Sequence, residues 1–374
     1  MTAIHPIGLI GYGGFGQFLR RSWSVLNGVN IPAICDAIQP DQLAGAVFVA
    51  DWRELVASPE IEIVAIATPP HTHAEMACAA MEAGKHVLIE KPLATNLVDA
   101  RRIIETRDRT GRVASVDYVL RFNPILEVVF DWSRSGEFGP LRRVVVENYA
   151  QDETLPSDHW FWNPELSGGI LVEHAVHFID VVNACASGDP VHTEGLRLQR
   201  TPYQEDRMML TTVYSDGLIA SQYHEFARPR VFEHTSLRLV FDLAQLDLEG
   251  WIPLGGRIRA LTNARTRGAL TRLPGFQPVD SGPGPLARVV PGPVCYVGGH
   301  PYDVDEVLEG VFAIDDSKEA VYGASLRAVL LDLIEGIENP GHLLRTPLEA
   351  GLTSLGIALE ATRSARERDL SALR

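Results

Sequence analysis

The first 120 residues alternate short apolar runs with helical stretches, and that alternation constrains the fold more than any other feature. Ile7-Gly8-Leu9-Ile10, Ile31-Pro32-Ala33-Ile34-Cys35, Ile61 to Ala67, His86-Val87-Leu88-Ile89 and Val113-Ala114-Ser115-Val116 are short and rich in aliphatic or β-branched residues. Between them lie stretches that read as helix: 17–23, an acidic segment around 52–55, 73–84 ending in glycine, and 97–110. A strand cannot pass directly into a parallel neighbour, so strands separated by helices predict a parallel, doubly wound α/β sheet.

In that setting the first strand–helix turn gains meaning. Gly11-Tyr12-Gly13-Gly14-Phe15-Gly16 fits G-x-G-x-x-G between a strand and a helix. Gly11 makes the tight turn, Gly13 lets backbone approach a pyrophosphate, and Gly16 lets helix and strand pack closely. The helix N-terminus supplies free N–H groups and a partial positive charge. Asp36 closes the second strand, where a carboxylate accepts hydrogen bonds from an adenosine ribose and repels a 2′-phosphate. Ala37-Ile38-Gln39 offers no arginine to reverse that preference, so the sequence favours NAD over NADP.

Ligands of open parallel sheets bind outside the carboxyl ends of the strands. Thr68-Pro69-Pro70 and Glu90-Lys91-Pro92 lie at two such ends, which places Lys91 beside the nicotinamide half of a cofactor. Candidate cofactor contacts are therefore Gly11, Gly13, Gly14, Phe15, Gly16, Asp36, Thr68, Pro69, His73, Glu90 and Lys91.

A chain of 374 residues is too long for one ordinary core and reads as two domains. Net charge is −15, from 48 acidic and 33 basic residues, which argues against nucleic acid or an anionic membrane as partner. No apolar run approaches the ~20 residues of a membrane span, and the N-terminus lacks signal-peptide features. Cys35, Cys78, Cys185 and Cys295 are scattered without metal-type spacing, which fits reduced thiols and a cytoplasmic location.

The second half carries its own cluster, Gly168-Gly169-Ile170-Leu171-Val172-Glu173-His174-Ala175-Val176-His177-Phe178-Ile179-Asp180. Read as one helix, it puts Glu173, His177 and Asp180 on a single face at i, i+4 and i+7. Two carboxylates and an imidazole on an otherwise apolar helix suit an active site; a satisfied buried His–Asp pair is the plain alternative. A third convincing metal ligand is missing, and no metal is expected.

These segments resemble the glucose–fructose oxidoreductase/inositol dehydrogenase (GFO/IDH/MocA) family of NAD(P)-dependent oxidoreductases. The resemblance is carried, in order, by GYGGFG at 11–16, TPPHTHAE at 68–75, AGKHVLIEKPLA at 83–94 and GGILVEHAVHFID at 168–180, and extends over nearly the whole chain. It implies an N-terminal Rossmann domain over 1–122 with a doubly wound parallel sheet. A substrate-binding and oligomerisation domain over 123–374, α+β with a large open, mostly antiparallel sheet, would follow. The resemblance further implies that Lys91, Glu173 and His177 surround the substrate carbon, and that the Lys91–Pro92 bond is cis. Two departures stand out: the acid is often Asp in the family, and the residue two positions after it is often Gly where this chain has Ala175.

The implied activity is that of an NAD-dependent dehydrogenase acting on CH–OH groups of a sugar, sugar derivative or cyclitol. The alternative is a relative that oxidises and re-reduces its substrate, permitting elimination, glycoside cleavage or epimerisation without net redox change. A cofactor-binding regulatory protein without turnover is disfavoured by the intact Lys91, Glu173 and His177. His177 is the natural base and Lys91 the natural stabiliser of alkoxide charge. Tyr118, Arg121, His159, Trp160, Trp162, Asn163 and Asp180 complete the expected substrate contacts, with Lys91, Glu173 and His177. Downstream, a helix from 124 to 138 precedes alternating strands, with a hairpin signal at Ser215-Asp216-Gly217. The breadth of that sheet favours a homodimer or homotetramer. The Pro/Gly-rich stretch 274–301 is expected to be an arm packing on a neighbour or on the site.

Overall fold

The computed structural model describes residues 4–43, 45–201, 204–279 and 294–368. Two compact units emerge, and neither is a continuous stretch of chain. The first gathers Met1–Phe122, Ser157–Asp180 and Tyr322–Leu359; the second gathers Asn123–Pro156, Val181–Val321 and Glu360–Arg374.

The first unit is built on six strands: β1 (His5–Ile10), β2 (Val29–Cys35), β3 (Val47–Val49), β4 (Ile63–Ile66), β5 (His86–Ile89) and β6 (Ala114–Val116). They lie in the order β3-β2-β1-β4-β5-β6, and every neighbouring pair is parallel. Helices α1 (Gly14–Trp23), α2 (Trp52–Ala57), α3 (His73–Glu82) and α4 (Leu97–Thr110) make the crossovers. The central strands are buried on both faces, as their near-continuous apolar runs require: Ile7, Leu9, Ile63, Val64, Val87 and Ile89 have no exposed surface. Local chemistry sets the helix limits. Asp51 caps α2 by accepting from Arg53 N, Asn96 caps α4 by accepting from Asp99 N, and Gly111 ends α4 in the left-handed region. β3 is an addition to the strands expected from sequence; its three residues are too few to show a period.

The later segments of this unit complete the sheet. Val116 N donates to Thr346 O at 3.0 Å and Ser115 Oγ contacts Thr346 Oγ1 at 2.7 Å, so the chain around 346 covers the β6 edge. Trp23, fully buried on α1, donates from Nε1 to Leu326 O at 3.1 Å and fixes the helix Lys318–Glu338.

The second unit holds a nine-stranded sheet formed from β7 (Leu141–Gln151), β8 (Pro190–Thr201), β9 (Gln204–Tyr214), β10 (Ile219–Arg228), β11 (His234–Phe241), β12 (Ala244–Glu249), β13 (Gly255–Thr262), β14 (Gln277–Pro278) and a last strand. A two-stranded hairpin, β15 (Val294–Val297) with β16 (His300–Asp303), precedes that last strand, β17 (Glu306–Ala313). The order is β14-β17-β13-β12-β11-β7-β10-β9-β8, antiparallel except for β7 beside β10. The hairpin expected at 215–217 joins β9 to β10, with Gly217 at positive φ. One face buries Val144, Val146, Leu210, Leu239, Leu246 and Ile258. The other leaves Leu196, Leu198, Met209 and Ile219 exposed. Of the Pro/Gly stretch, residues 280–293 lie outside the described residues; beyond them Tyr302 of β16 donates to Asp242 Oδ2 at 2.7 Å.

Candidate active site

The glycine turn follows directly from the path of β1 into α1. Gly11 has φ +92°, and a Cβ there would sit 2.4 Å from Ala67 O. A Cβ on Gly16 would sit 2.1 Å from Gly11 O, so these two glycines serve the turn itself. Gly13 and Gly14 differ: a Cβ on either meets nothing within 4 Å among the described residues. That open space lies at the N-terminus of α1, whose cap residue Gly13 brings no side-chain bond to the first-turn N–H groups. Unspent donors, a positive helix end and room for an anion fit a pyrophosphate. Asp36 sits beside this turn and accepts from Tyr12 N through Oδ2 and from Ile38 N through Oδ1. Each oxygen keeps a lone pair for a ribose hydroxyl. Phe15 packs towards Tyr322, ring centroids 6.4 Å apart.

At the ends of β4 and β5, His73 ties two loops together. Its ring has no exposed surface, with Nδ1 2.8 Å from Pro92 O and Nε2 2.9 Å from Thr68 O. A neutral imidazole carries one N–H, so it donates to one of these carbonyls and only approaches the other. Burial lowers its pKa to about 4, with Lys91 and His71 pushing the same way. Thr68 Oγ1 is 2.7 Å from Thr72 Oγ1, which tightens the Thr68-Pro69 corner. Thus His73 is placed as a brace of the cofactor-side loops.

The Lys91–Pro92 bond is cis. Lys91 Nζ donates to Glu173 Oε1 at 2.9 Å and to Glu173 O at 2.8 Å. Both side chains are largely buried, 10% and 16% exposed. Burial opposes the ammonium charge, but the charge and hydrogen bond of Glu173 lead the influences that hold the lysine pKa above its usual value. Glu90 Oε2 accepts from Lys91 N at 2.9 Å. Burial, then Asp117, lifts the Glu90 pKa well above the carboxylate range against the pull of Lys91.

Residues 168–180 depart from the single regular helix expected. Leu171–Ala175 form a π turn, followed by the α-helix Val176–Cys185. Gly168 and Gly169, both at positive φ, lead the chain into it. A π turn shifts the hydrogen-bond ladder by one residue and re-aims what it carries. Here it brings both the carboxylate and the main-chain carbonyl of Glu173 to Lys91. His177 is buried, and burial first, then Lys91 and His174, hold its pKa well below the usual value. The imidazole is therefore neutral at physiological pH.

Asp180 has no exposed surface, and both its oxygens accept from Arg121, Oδ2 from Nε and Oδ1 from Nη2, each at 2.7 Å. Burial raises the Asp180 pKa while Arg121 lowers it, and a two-pronged bond from a permanent cation holds the carboxylate form. Arg121 also donates to Arg345 O, so the pair reads as a fixed strut. Tyr118 is buried. In the aromatic loop, His159 Nδ1 accepts from Phe161 N at 3.3 Å and Asn163 caps the short helix Pro164–Ser167. Trp162 is buried against Phe161, whereas Trp160 is half-buried and stands beside His159. Among the described residues no cluster of three or more His, Cys, Asp or Glu side chains is arranged to hold a metal.

Sequence reasoning missed two members of this cluster. His174 is half-buried, with its pKa lowered to about 3 by desolvation and by Lys91. Asp117 is 3% exposed at the end of β6. Its signal was present: like Glu90, it is an acid that directly follows an apolar strand at the carboxyl edge.

A glycine turn with unspent helix-end donors, a lysine held by a carboxylate and a buried imidazole stand on one unit, an arrangement that suits a dinucleotide-dependent oxidoreductase. The comparisons agree with that class. A model described as oxidoreductase family, NAD-binding Rossmann fold matches residues 6–118, and the GFO/IDH/MocA C-terminal domain matches 129–237. Together they cover more than half of the chain, which belongs to the GFO/IDH/MocA oxidoreductase family.

Three curated relatives illustrate the range of similarity. An uncharacterized oxidoreductase, ORF334, of Rhizobium meliloti is 36% identical over 139 residues, 37% of this chain and 41% of that protein. Levoglucosan dehydrogenase of Pseudarthrobacter phenanthrenivorans is 32% identical over 135 residues, 35% of each chain. Inositol 2-dehydrogenase of Salmonella typhimurium is 29% identical over 185 residues, 47% of this chain and 53% of that one. The chain thus spans 35–53% of the length of these three relatives. Among solved structures, a levoglucosan dehydrogenase in complex with NADH and L-sorbose shares the fold with a TM-score of 0.77, at 19% identity over 98% of this chain and 97% of that one. The NAD complex of GenD2, from gentamicin A biosynthesis, gives 0.74 at 18% identity over 98% and 95%.

Proposed function

We propose that the protein is an NAD-dependent dehydrogenase that moves a hydride between nicotinamide and a secondary alcohol carbon of a sugar, sugar derivative or cyclitol. One observation carries this reading: Lys91, bonded to Glu173 beside the neutral His177, stands at the carboxyl edge of the sheet that bears the glycine turn. When bound, NAD supplies the hydride acceptor. The protein's own task is to orient the carbinol carbon and to manage the hydroxyl proton. Lys91, charged and short of solvent, donates to the substrate oxygen and stabilises negative charge as it develops there. A ring nitrogen of His177 takes the hydroxyl proton, for which a neutral imidazole is the right form. Glu173 positions the ammonium and partly balances its charge. Asp36 accepts from the ribose hydroxyls and disfavours a 2′-phosphate, which supports NAD over NADP. Trp160, half-buried beside His159, suits the apolar face of a carbohydrate ring.

The exposed Leu196, Leu198, Met209 and Ile219 on one sheet face of the second unit suit a homodimer or homotetramer contact. No disulfide joins the cysteines among the described residues, and no helix there is long and apolar enough to cross a membrane. Both facts accord with a cytoplasmic enzyme. The test is to incubate the protein with NAD or NADP against a panel of cyclitols, sugars and glycosides, following reduced cofactor and carbohydrate products together. The reading expects NADH and a keto product in equal amounts. A changed carbohydrate without net NADH means that the hydride returns to the substrate; no product with any member contradicts the reading.

A further inference from the structure

The ends of β5 and β6 bring two acids together in a way that the proposed reaction does not use. Ile89 and Val116 are register partners in a parallel pair, and Asp117 N extends the ladder by donating to Ile89 O at 2.8 Å. Glu90 and Asp117 are thus the next residues on neighbouring strands, about 5 Å apart in backbone and on the same side of the sheet. Asp117 is 97% buried, and its Oδ1 has no hydrogen-bond partner among the described residues. Glu90 turns its Oε2 to Lys91 N, while Lys91 Nζ is committed to Glu173. Tyr322 and Tyr118 also feel this pair, and both are held neutral by burial.

Three carboxyl groups thus act electrostatically on one ammonium, of which only Glu173 touches it. If all three were ionised, the buried cluster would carry two net negative charges, the wrong sign for receiving a developing alkoxide. Two acids on neighbouring strand ends in a low-dielectric site resolve the conflict when one of them keeps its proton. We propose that Asp117 and Glu90 form an electrostatically coupled carboxyl pair behind Lys91, with Asp117 the positioning residue that keeps Glu90 protonated and leaves Glu173 as the single carboxylate partner of the lysine. The catalytic consequence rests on the function proposed above; the pair itself does not. Burial lifts Asp117 to about 7 and Glu90 well above its usual range, in keeping with the geometry.

The test is an infrared pH titration of the full chain without substrate, reading the carbonyl band of protonated carboxyls. The native protein should lose this band in two steps above the ordinary carboxylate range. Asp117→Asn should retain one step, moved down by roughly 2 pH units, the scale of like-charge repulsion at ~5 Å and an effective dielectric of about 20. Glu90→Gln should likewise retain one step, and it stands in if Asp117→Asn does not fold. In turnover, Asp117→Asn should lower kcat about tenfold near neutrality and regain it as pH falls, with KM little changed. A purely structural Asp117 would shift no pH profile. Native protein without a protonated carboxyl above pH 6, or two steps surviving in both variants, overturns the proposal. Absence of any dehydrogenase activity with the infrared result intact would instead count against the function reading alone.

Discussion

Replacing Lys91 by methionine keeps the side-chain length and removes the charge, and its effect follows from the geometry. The ammonium lies 2.9 Å from Glu173 Oε1, with both side chains mostly out of water. At an effective dielectric of about 20 two unit charges at this separation attract by roughly 6 kcal/mol before desolvation is counted. Breaking such a pair by removing one partner costs about 3–5 kcal/mol. The residual solvent contact of both groups points to the lower end, ~3 kcal/mol, or some 6–12 °C in Tm for a unit of this size. Separately, loss of a donor to the reacting oxygen costs about 10²–10³ in rate. Lys91→Met should therefore show both defects. Adding Glu173→Gln removes the stranded carboxylate, so the double variant should recover most of the lost Tm and none of the lost rate. Thermal unfolding and kcat/KM, measured on the same preparations, separate the two effects. The reasoning is refuted if Lys91→Met retains kcat/KM within about threefold of native, or if the double variant recovers rate along with stability.

Further outcomes follow from individual contacts. Gly13→Ala enters open space, so it should fold with native Tm and raise the KM for NAD, whereas Gly16→Ala meets Gly11 O and should lower Tm or fail to fold. Thermal melts and cofactor titrations distinguish them; equal behaviour of the two would remove the argument for a cradle. Asp36→Ser should weaken NAD by about 10–100-fold, the scale of lost charge-assisted hydrogen bonds, with a much smaller effect on NADP. Comparing kcat/KM for the two cofactors decides it. Asp117 is raised in the folded state from 3.8 to about 7, so the folded state binds more protons and native stability is lost as pH rises between those values. Asp117→Asn should thus gain stability relative to native protein between pH 4 and 7, by ~4 kcal/mol at most, and hold the gain above pH 7. Urea unfolding across that range reads the difference, and a pH-independent difference would contradict the assignment.

What sequence could reveal divides along physical lines. The parallel sheet was legible because its central strands are buried on both faces and write themselves as apolar runs, 63–66 and 86–89 above all. Gly11 and Gly16 were legible because backbone approach permits nothing larger there. The π turn at Leu171–Ala175 was not, since 3.6-residue periodicity carries no sign of a one-residue shift in the ladder. Nor was the pairing of Asp180 with Arg121, 59 residues away: sequence showed two charges, and only folding shows that each occupies the other. His73 reads in sequence as one more polar residue near a cofactor loop; its role as a brace depends on two carbonyls brought in from Thr68 and Pro92. Asp117 escaped notice for a simpler reason, because a lone acid after a short strand looks like an exit to solvent until its burial is known.

The most direct measurement of the central claim follows the hydride itself. The protein would be mixed with NAD and a polyol substrate deuterated at the carbinol carbon, and the reduced cofactor analysed for deuterium by mass spectrometry. The account expects deuterium on the nicotinamide with the native protein, and little or none with Lys91→Met or His177→Ala under the same conditions. Product formed while the reduced nicotinamide stays free of deuterium, or undiminished transfer in both variants, would contradict it.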